Sequence, residues 1–310
     1  MRDRPWHGGA GWGFRPRLAP RLFTVTSALV ALFILGGAAY LVATSGKLRF
    51  HVIGRYLFSS VMFKGVGTTL LITLVSLVSS IILGTILATM RLSKNPVLRA
   101  IASTYIWFFR GTPVIVQVIF WFNLALFLPR IGLGGWSAST NSLVTPMNAA
   151  LLAMSLNVSA FMCEVIRGGL IAVDAGQTEA ALSIGMRPGT ALLRIVLPQA
   201  VRVILPAAGN LTIDLLKATS LVYVIGTKEI LGTVQSISSQ NFFVIELLIV
   251  ACLWYLTLVT IASFLQSRLE RRFGRGFTSA KNRDVPAARQ STVYLPPITA
   301  VGGPARSVLA

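Results

Sequence analysis

The fold is decided by one charge-free stretch, GVGTTLLITLVSLVSSIILGTILATM, residues 65–90. An α-helix needs about 20 apolar residues to cross the hydrocarbon core of a bilayer, and this stretch is longer. The rest of the chain agrees, because 54% of its residues are hydrophobic and only 12% are charged, with a mean hydropathy of +0.73. This composition excludes an ordinary soluble domain. We predict an all-α integral membrane protein.

Five further apolar segments have a similar length, which gives about six predicted transmembrane helices in all. These further segments are residues 22–43, 100–129, 147–173, 205–226 and 242–265. The last four each contain ionisable side chains, namely Arg110, Glu164, the Asp214 and Lys217 pair, and Glu246. A charge inside a span is costly, so we expect these groups to face the bundle interior or water.

The basic residues predict the orientation of the spans. If both termini are cytoplasmic, 20 of the 28 Lys and Arg residues lie on the cytoplasmic side, six lie outside and two lie within spans. The positive-inside rule favours this arrangement. The net charge of +19 does not indicate a nucleic-acid partner, since the basic residues lie between apolar runs rather than on one soluble face.

The predicted organisation follows from these spans. A basic cytoplasmic tail (residues 1–21) precedes an additional helix (22–44). A surface-lying segment (45–64) leads into a membrane core (65–268) that contains a polar loop (174–206). A basic, disordered cytoplasmic tail (269–310) follows. The segment after the first helix interleaves basic and apolar residues, as interfacial helices do. A cleaved signal peptide is the alternative for the first helix, but its leader and its apolar stretch are both long for one.

The polar loop has the residues of a structured element. Asp174 is placed to cap a short helix, and Gln177 is placed to complete a capping box. Gly185 suits the left-handed turn that ends such a helix. We expect a second helical piece over residues 190–197, which stops before Pro198, and a further break at Pro206. A surface connector explains a short capped helix equally well.

The order of residues in this loop resembles the EAA loop of bacterial ABC-importer permeases. The matching positions are Gly176, Gln177, Glu179, Ala180, Ala181 and Gly185, then Pro198, Gln199, Ala200, Arg202 and Pro206. In that family the loop forms a coupling helix that docks on a cytoplasmic ATPase subunit. The resemblance implies that Ala180 and Ala181 allow close approach and that Gly185 forms the turn.

A second motif is similar to the FRGTP signature of permeases for polar amino acids, the histidine and glutamine permease-like branch of type I importers. It comprises residues 109–113 followed by Gln117. Supporting matches are Arg91, Ser93, Glu164, Arg167, Gly168, Gly169, Lys217, Thr219, Ser220 and Leu221. The resemblance covers residues 65–268. Family members commonly have five core spans, so the first helix is an addition, and the basic C-terminal tail is not part of the signature.

The resemblance implies a permease subunit of an ATP-binding-cassette importer that translocates polar amino acids across the bacterial inner membrane. Coupling would run through the loop around Glu179. Its partners would be a cytoplasmic ATPase dimer, a second permease copy or a sister permease, and a periplasmic substrate-binding protein. No P-loop is present in the sequence, so we expect no cofactor on this chain and ATP with Mg on the partner ATPase. No catalytic or metal-binding residues are expected.

Polar groups within the spans are candidates for the substrate pathway: Arg110, Gln117, Asn157, Glu164, Asp214 and Lys217. Other roles compete with this one. Asp214 and Lys217 have the spacing of a helical ion pair, as do Glu164 and Arg167. Arg110 suits a structural anchor better than a ligand site, and the two amides suit interhelical hydrogen bonds better than a pathway.

An ion-coupled secondary transporter of small polar solutes is the main alternative function, because it also needs several spans and buried charges. It gives no reason for a capped helix with the EAA pattern. A membrane-bound enzyme is a weaker alternative, since the spans contain no nucleophile with a base and no metal-ligand cluster. The sequence does not specify the amino acid, because in this family the binding protein largely sets selectivity.

Overall fold

The computed structural model describes residues 20–44, 48–133 and 136–273. Almost all of the two predicted tails lies outside the described residues. Helices dominate the described chain: α1 Pro20–Thr44, α2 Phe50–Leu57, α3 Ser60–Leu92, α4 Pro96–Gly111, α5 Val114–Phe122, α6 Thr140–Leu143, α7 Pro146–Ile171, α8 Ala175–Ser183, α9 Pro188–Ala191, α10 Leu197–Ala218, α11 Ile230–Asn241 and α12 Val244–Phe273.

Four helices among the described residues are long and apolar enough to cross a membrane: α3, α7, a continuous helix over Pro188–Ile225, and α12. Helices α4 and α5 together make a fifth candidate, bent by 101° at their junction. Helix α1 has 25 residues and coincides with the first predicted span. Each of the six segments predicted from the sequence is therefore helical, and the third is bent rather than straight.

The bend in the third span follows from its sequence. Pro113 is the N-cap of α5 and has no N–H to continue α4. A proline also disfavours helical geometry at the residue before it, here Thr112, whose backbone is extended (φ −109°, ψ 142°).

The expected breaks at Pro198 and Pro206 are wrong, since the helix is continuous from Pro188 to Ile225. A π-helical turn, Leu192–Val196, lies directly before α10. Pro198 follows this π-helical turn directly, as the second residue of α10. Pro206 lies inside α10, and its carbonyl accepts a hydrogen bond from Gln266 Nε2 (3.2 Å). The polar loop is therefore shorter than residues 174–206.

Two elements between spans were not predicted. Strands β1 Arg130–Leu133 and β2 Trp136–Ser139 pair as an antiparallel hairpin with Arg130 opposite Ser139. Helix α11 lies between α10 and α12 and packs on α3 and α12. The sequence of α11 is mostly polar, and its apolar face consists of only a few residues. The sequence pattern therefore resembles that of a loop.

Helix α2 occupies the middle of the segment predicted to lie on the membrane surface, and α3 begins earlier than predicted, at Ser60. The α2 helix packs against α12, and Val52 is its buried residue. Trp254 Nε1 of α12 donates to the carbonyl of Leu57 at the end of α2 (2.9 Å). The surface-lying role of this segment stays a prediction.

Helix α7 is the centre of the molecule, because it packs on α3, α10, α5 and α4. Its small buried residues, which include Ala149 and Ala153, let these neighbours approach closely. Gly84 of α3 faces α7 where a methyl group would lie only 2.9 Å from Met162 Cβ. A second core joins α3, α11 and α12 around Ile230 and Leu247. The buried polar side chains of Gln117, Asn157 and Glu229 lie among these packed helices.

Candidate functional site

Helix α8 is a short capped helix that is exposed along most of its length. Asp174 Oδ1 accepts a hydrogen bond from the Gly176 N–H (2.7 Å), which confirms the N-cap. The end of the helix is also as predicted, because Gly185 has a left-handed φ of +83° and the Met186 N–H donates to the Ala181 carbonyl (3.1 Å). In the described part of the chain, the Gln177 side chain makes no return bond to the cap.

The surface of α8 offers both charge and apolar area. Glu179 and Ala180 are exposed, whereas Ala181 is only 2% exposed because it packs on its own chain. Of the two alanines, only Ala180 is accessible to a partner. Ile184, directly after α8, is 78% exposed, and Leu182 is 42% exposed. Sequence reasoning missed this apolar pair, although large aliphatic side chains in an exposed turn between spans are a signal for docking.

A cluster of charges lies near the helix ends that precede α8. Glu164 Oε2 accepts hydrogen bonds from Arg167 Nη2 (2.7 Å) and Nε (3.0 Å), so the helical pair is present. Arg91 Nε lies 3.8 Å from the other carboxylate oxygen. Arg91 also donates to Ser103 Oγ of α4. The carboxylate therefore connects α3, α4 and α7 at one end of the bundle.

The other ion pair lies on the surface of α10. Lys217 Nζ is 2.8 Å from Asp214 Oδ1, and the side chains are 55% and 68% exposed. Both residues lie within a candidate membrane span. An exposed ion pair at this depth is costly against lipid, so this face of α10 requires water or another protein surface.

Arg110 lies at the end of α4, next to the bend. Its side chain is exposed, and its guanidinium carbon lies 5.1 Å from the centre of the Phe161 ring of α7. This cation–π contact is the geometry of an anchor.

The two candidate amides, Gln117 and Asn157, are brought together in the core. Their exposures are 4% and 8%. Asn157 Nδ2 lies 3.3 Å from Gln117 Oε1 and 2.9 Å from the Phe109 carbonyl. The amides thus bond helices to one another and are not open to a pathway.

Glu229 is a buried carboxylate that sequence reasoning missed. Its oxygens accept hydrogen bonds from the N–H groups of Leu231 (2.9 Å) and Gly232 (2.7 Å), which caps α11. The Tyr255 hydroxyl donates to it as well (2.6 Å). Burial raises the pKa of the Glu229 carboxyl above its ordinary value, and these hydrogen bonds oppose that rise. The sequence does contain a signal for this helix cap, because Glu229 is an acidic residue directly before residues 230–233, which begin a helix.

No group of three metal-binding side chains occurs in the described ranges, whether of His, Cys, Asp or Glu. Cys163 is buried and Cys252 is exposed, and both are free thiols.

This chain is similar in sequence to known proteins. The family described as binding-protein-dependent transport system inner membrane component matches residues 80–275. The arginine transport system permease protein ArgU of Corynebacterium glutamicum is 39% identical over 225 residues, 72% of this chain and 71% of that protein. The probable amino-acid ABC transporter permease protein PatM of Vibrio harveyi is 36% identical over 219 residues, 70% of this chain and 93% of that protein.

Solved structures agree on the fold. The crystal structure of an amino acid ABC transporter with histidines superposes with a TM-score of 0.64 at 30% identity, covering 73% of this chain and 99% of that chain. An inward-facing structure of the MetNI methionine ABC transporter gives a TM-score of 0.58 at 17% identity, covering 69% and 96%, which shows the fold alone. The chain therefore belongs to the family of binding-protein-dependent transport system inner membrane components, and it is a multi-pass membrane permease rather than an enzyme.

Proposed function

We propose that this chain is the membrane-spanning permease subunit of an ABC importer for polar amino acids. The family match supports the transport class, and the names of the relatives support amino acids as cargo. The single observation that carries the coupling role is helix α8, which is capped, short and exposed. An exposed apolar turn after a rigid helix is suited to a cleft on a partner protein.

The ATPase acts on this chain through α8. ATP and Mg bind to a dimer of partner ATPase subunits, and closure of that dimer moves α8 through contacts with Glu179, Ala180 and Ile184. Gly176, Gln177 and Gly185 shape the helix ends for this docking. The movement passes into α7 through residues 172–174 and into α10 through α9, since both connections are short.

The substrate moves along the face of α10 that carries Asp214 and Lys217. A second permease, either a copy of this chain or a sister chain, supplies the opposite wall and shields these charges from lipid. Arg110 and Glu164 lie nearer the ends of this route. A periplasmic binding protein delivers the amino acid to the side opposite α8, and both termini are cytoplasmic.

The proposal is tested by reconstituting the chain with its ATPase and binding protein in liposomes. We expect ATPase activity that rises with a polar amino acid, and we expect Glu179→Lys and Gly185→Arg to abolish the rise. Gly67→Ala is the control, because Gly67 lies in α3, outside the proposed coupling route, and has open space around its Cα. Normal membrane insertion of each variant is checked first.

Two outcomes contradict the proposal. If the two α8 variants keep the full substrate response, α8 is not the coupling element. If uptake persists without ATP and without an ATPase partner, an ion-coupled secondary transporter becomes the better account of the chain.

A further inference from the structure

The bend between α4 and α5 leaves specific backbone groups without helical partners. In a continuous helix the Phe109 carbonyl would accept from the N–H of residue 113, but that residue is a proline. The Thr112 carbonyl would accept from Val116, whose N–H instead donates to Pro113 O (3.1 Å). Unsatisfied carbonyls are costly within a membrane, so the bend requires other donors.

The side-chain amides of Gln117 and Asn157 are these donors. Gln117 Nε2 lies 3.1 Å from the Phe109 carbonyl, 3.2 Å from the Thr112 carbonyl and 2.7 Å from Thr112 Oγ1. Asn157 Nδ2 lies 2.9 Å from the same Phe109 carbonyl. The Phe109 and Thr112 carbonyls are therefore both satisfied, and the Phe109 carbonyl accepts from side chains of two different helices.

The two amides also contact each other, with Asn157 Nδ2 at 3.3 Å from Gln117 Oε1. The resulting network joins the end of α4, the first turns of α5 and the middle of α7. Water does not compete for it, because both side chains are almost fully buried. A buried hydrogen-bond network of this kind fixes one geometry, since any other angle leaves polar groups unpaired.

The orientation of α5 depends on this angle. Helix α5 packs across α7 and against the 3₁₀ segment Thr219–Ile225, which is the last part of the span that carries Lys217. Val118 of α5 is buried in that contact. Arg110, on the other side of the bend, faces Phe161. A change in the angle would move both contacts together.

We propose that Gln117 and Asn157 are positioning residues that lock the 101° bend of the third span and so hold α5 against the wall of the transport route. Their role in transport rests on the proposed function, whereas their role in the geometry does not.

The geometric part is tested with paired spin labels in the full-length chain in lipid nanodiscs. Labels replace Ile101 of α4 and Phe120 of α5, which are both exposed, in a background with Cys163→Ala and Cys252→Ser. We expect one narrow distance distribution in this background and a clearly broader one with Gln117→Met or Asn157→Leu. Asn123→Ala is the control, because Asn123 is an exposed amide that bonds only to its own helix.

A double-mutant cycle shows whether the two amides act together. If they serve one network, the variant with both Gln117→Met and Asn157→Leu broadens the distribution little more than either change alone. A variant that combines Gln117→Asn and Asn157→Gln exchanges the two amides and keeps both. We expect this exchange to restore a narrow distance distribution. If the single variants stay as narrow as the control, or if the exchange fails to narrow the distribution, the proposal is overturned.

The transport part is measured in the reconstituted importer. We expect the single variants to lower the rate of amino-acid-stimulated ATP hydrolysis at saturation by about tenfold while the KM for the loaded binding protein changes little, and the exchange to restore the rate. An unchanged rate with a broadened distribution would overturn the transport role. If wild type shows no amino-acid response at all, the proposed function fails, and the distance measurement still decides the geometry.

Discussion

At the scale of single residues, short-range contacts form the ends of α8, and a long-range contact holds the buried Glu229 carboxylate. Asp174 and Gly185 act within a few positions of themselves, so their roles as helix cap and left-handed turn follow from spacing alone. The Glu164 pair with Arg167 is likewise local. Tyr255 reaches Glu229 only because α11 folds back against α12, and no periodicity in the sequence predicts that contact.

Protonation of Glu229 makes the stability of the permease depend on pH. The raised pKa belongs to the folded chain, so the folded chain keeps a proton at pH values where the unfolded chain has lost it. This contribution to stability is complete below the unfolded pKa of about 4.3 and is lost as the pH rises through the folded pKa. We expect the Tm of wild type, relative to Glu229→Gln, to fall over this range.

The measurement is thermal unfolding in detergent at a series of pH values. Tyr255→Phe is a companion variant, because it removes a hydrogen bond that opposes the rise in pKa and leaves the carboxyl in place. It should lose stability more steeply with pH than wild type. A Tm difference between wild type and Glu229→Gln that stays constant, or that grows with pH, would contradict the expectation.

At the scale of helices and strands, apolar length predicted where helices occur but not how they bend or end. The prolines show why. The span bends at Pro113, where amide side chains of the core satisfy the carbonyls that the proline releases. Helix α10 instead continues through Pro206, whose own carbonyl accepts a hydrogen bond from Gln266 of α12. These outcomes depend on neighbours that a single segment does not contain. Helix α11 was missed for a related reason, since its burial comes from α3 and α12.

The packing of α3 on α7 gives a prediction with a matched control. A methyl group at Gly84 would lie 2.9 Å from Met162 Cβ and 3.1 Å from the Cys163 backbone nitrogen, so the helices must separate. At Gly67, in the same helix, a methyl group meets nothing within 4 Å. We expect Gly84→Ala to cost about 1–3 kcal/mol and Gly67→Ala to be neutral or slightly stabilising.

Thermal or denaturant unfolding of the purified chain in one detergent compares the two glycine variants directly. Both gain the same methyl group and the same helix propensity, so the difference between them isolates the close approach of α3 and α7. Equal stabilities would show that these helices have room to relax at Gly84.

At the scale of the whole molecule, the charges of the surface and the order of the spans must agree on one orientation. Along the chain, the hairpin of β1 and β2 precedes α7, and helix α8 follows it. The hairpin is therefore connected to the start of α7, and α8 is connected to its end. The positive-inside rule predicts that the α8 end lies in the cytoplasm. Asp214 and Lys217 form an exposed ion pair within the span between these ends. If lipid covered this face of the helix, we would expect apolar side chains there instead.

This orientation predicts which positions a membrane-impermeant maleimide reaches in intact spheroplasts. In a background with Cys163→Ala and Cys252→Ser, Ser137→Cys in the hairpin should react without permeabilisation, and Ser183→Cys at the end of α8 should react only after it. Both serines are exposed, so the contrast reports sidedness rather than burial. Labelling of Ser183→Cys from outside would invert the topology, and it would then separate α8 from any cytoplasmic ATPase. The same result would remove the physical basis for coupling, because a helix that faces the periplasm cannot contact a subunit that hydrolyses ATP inside the cell.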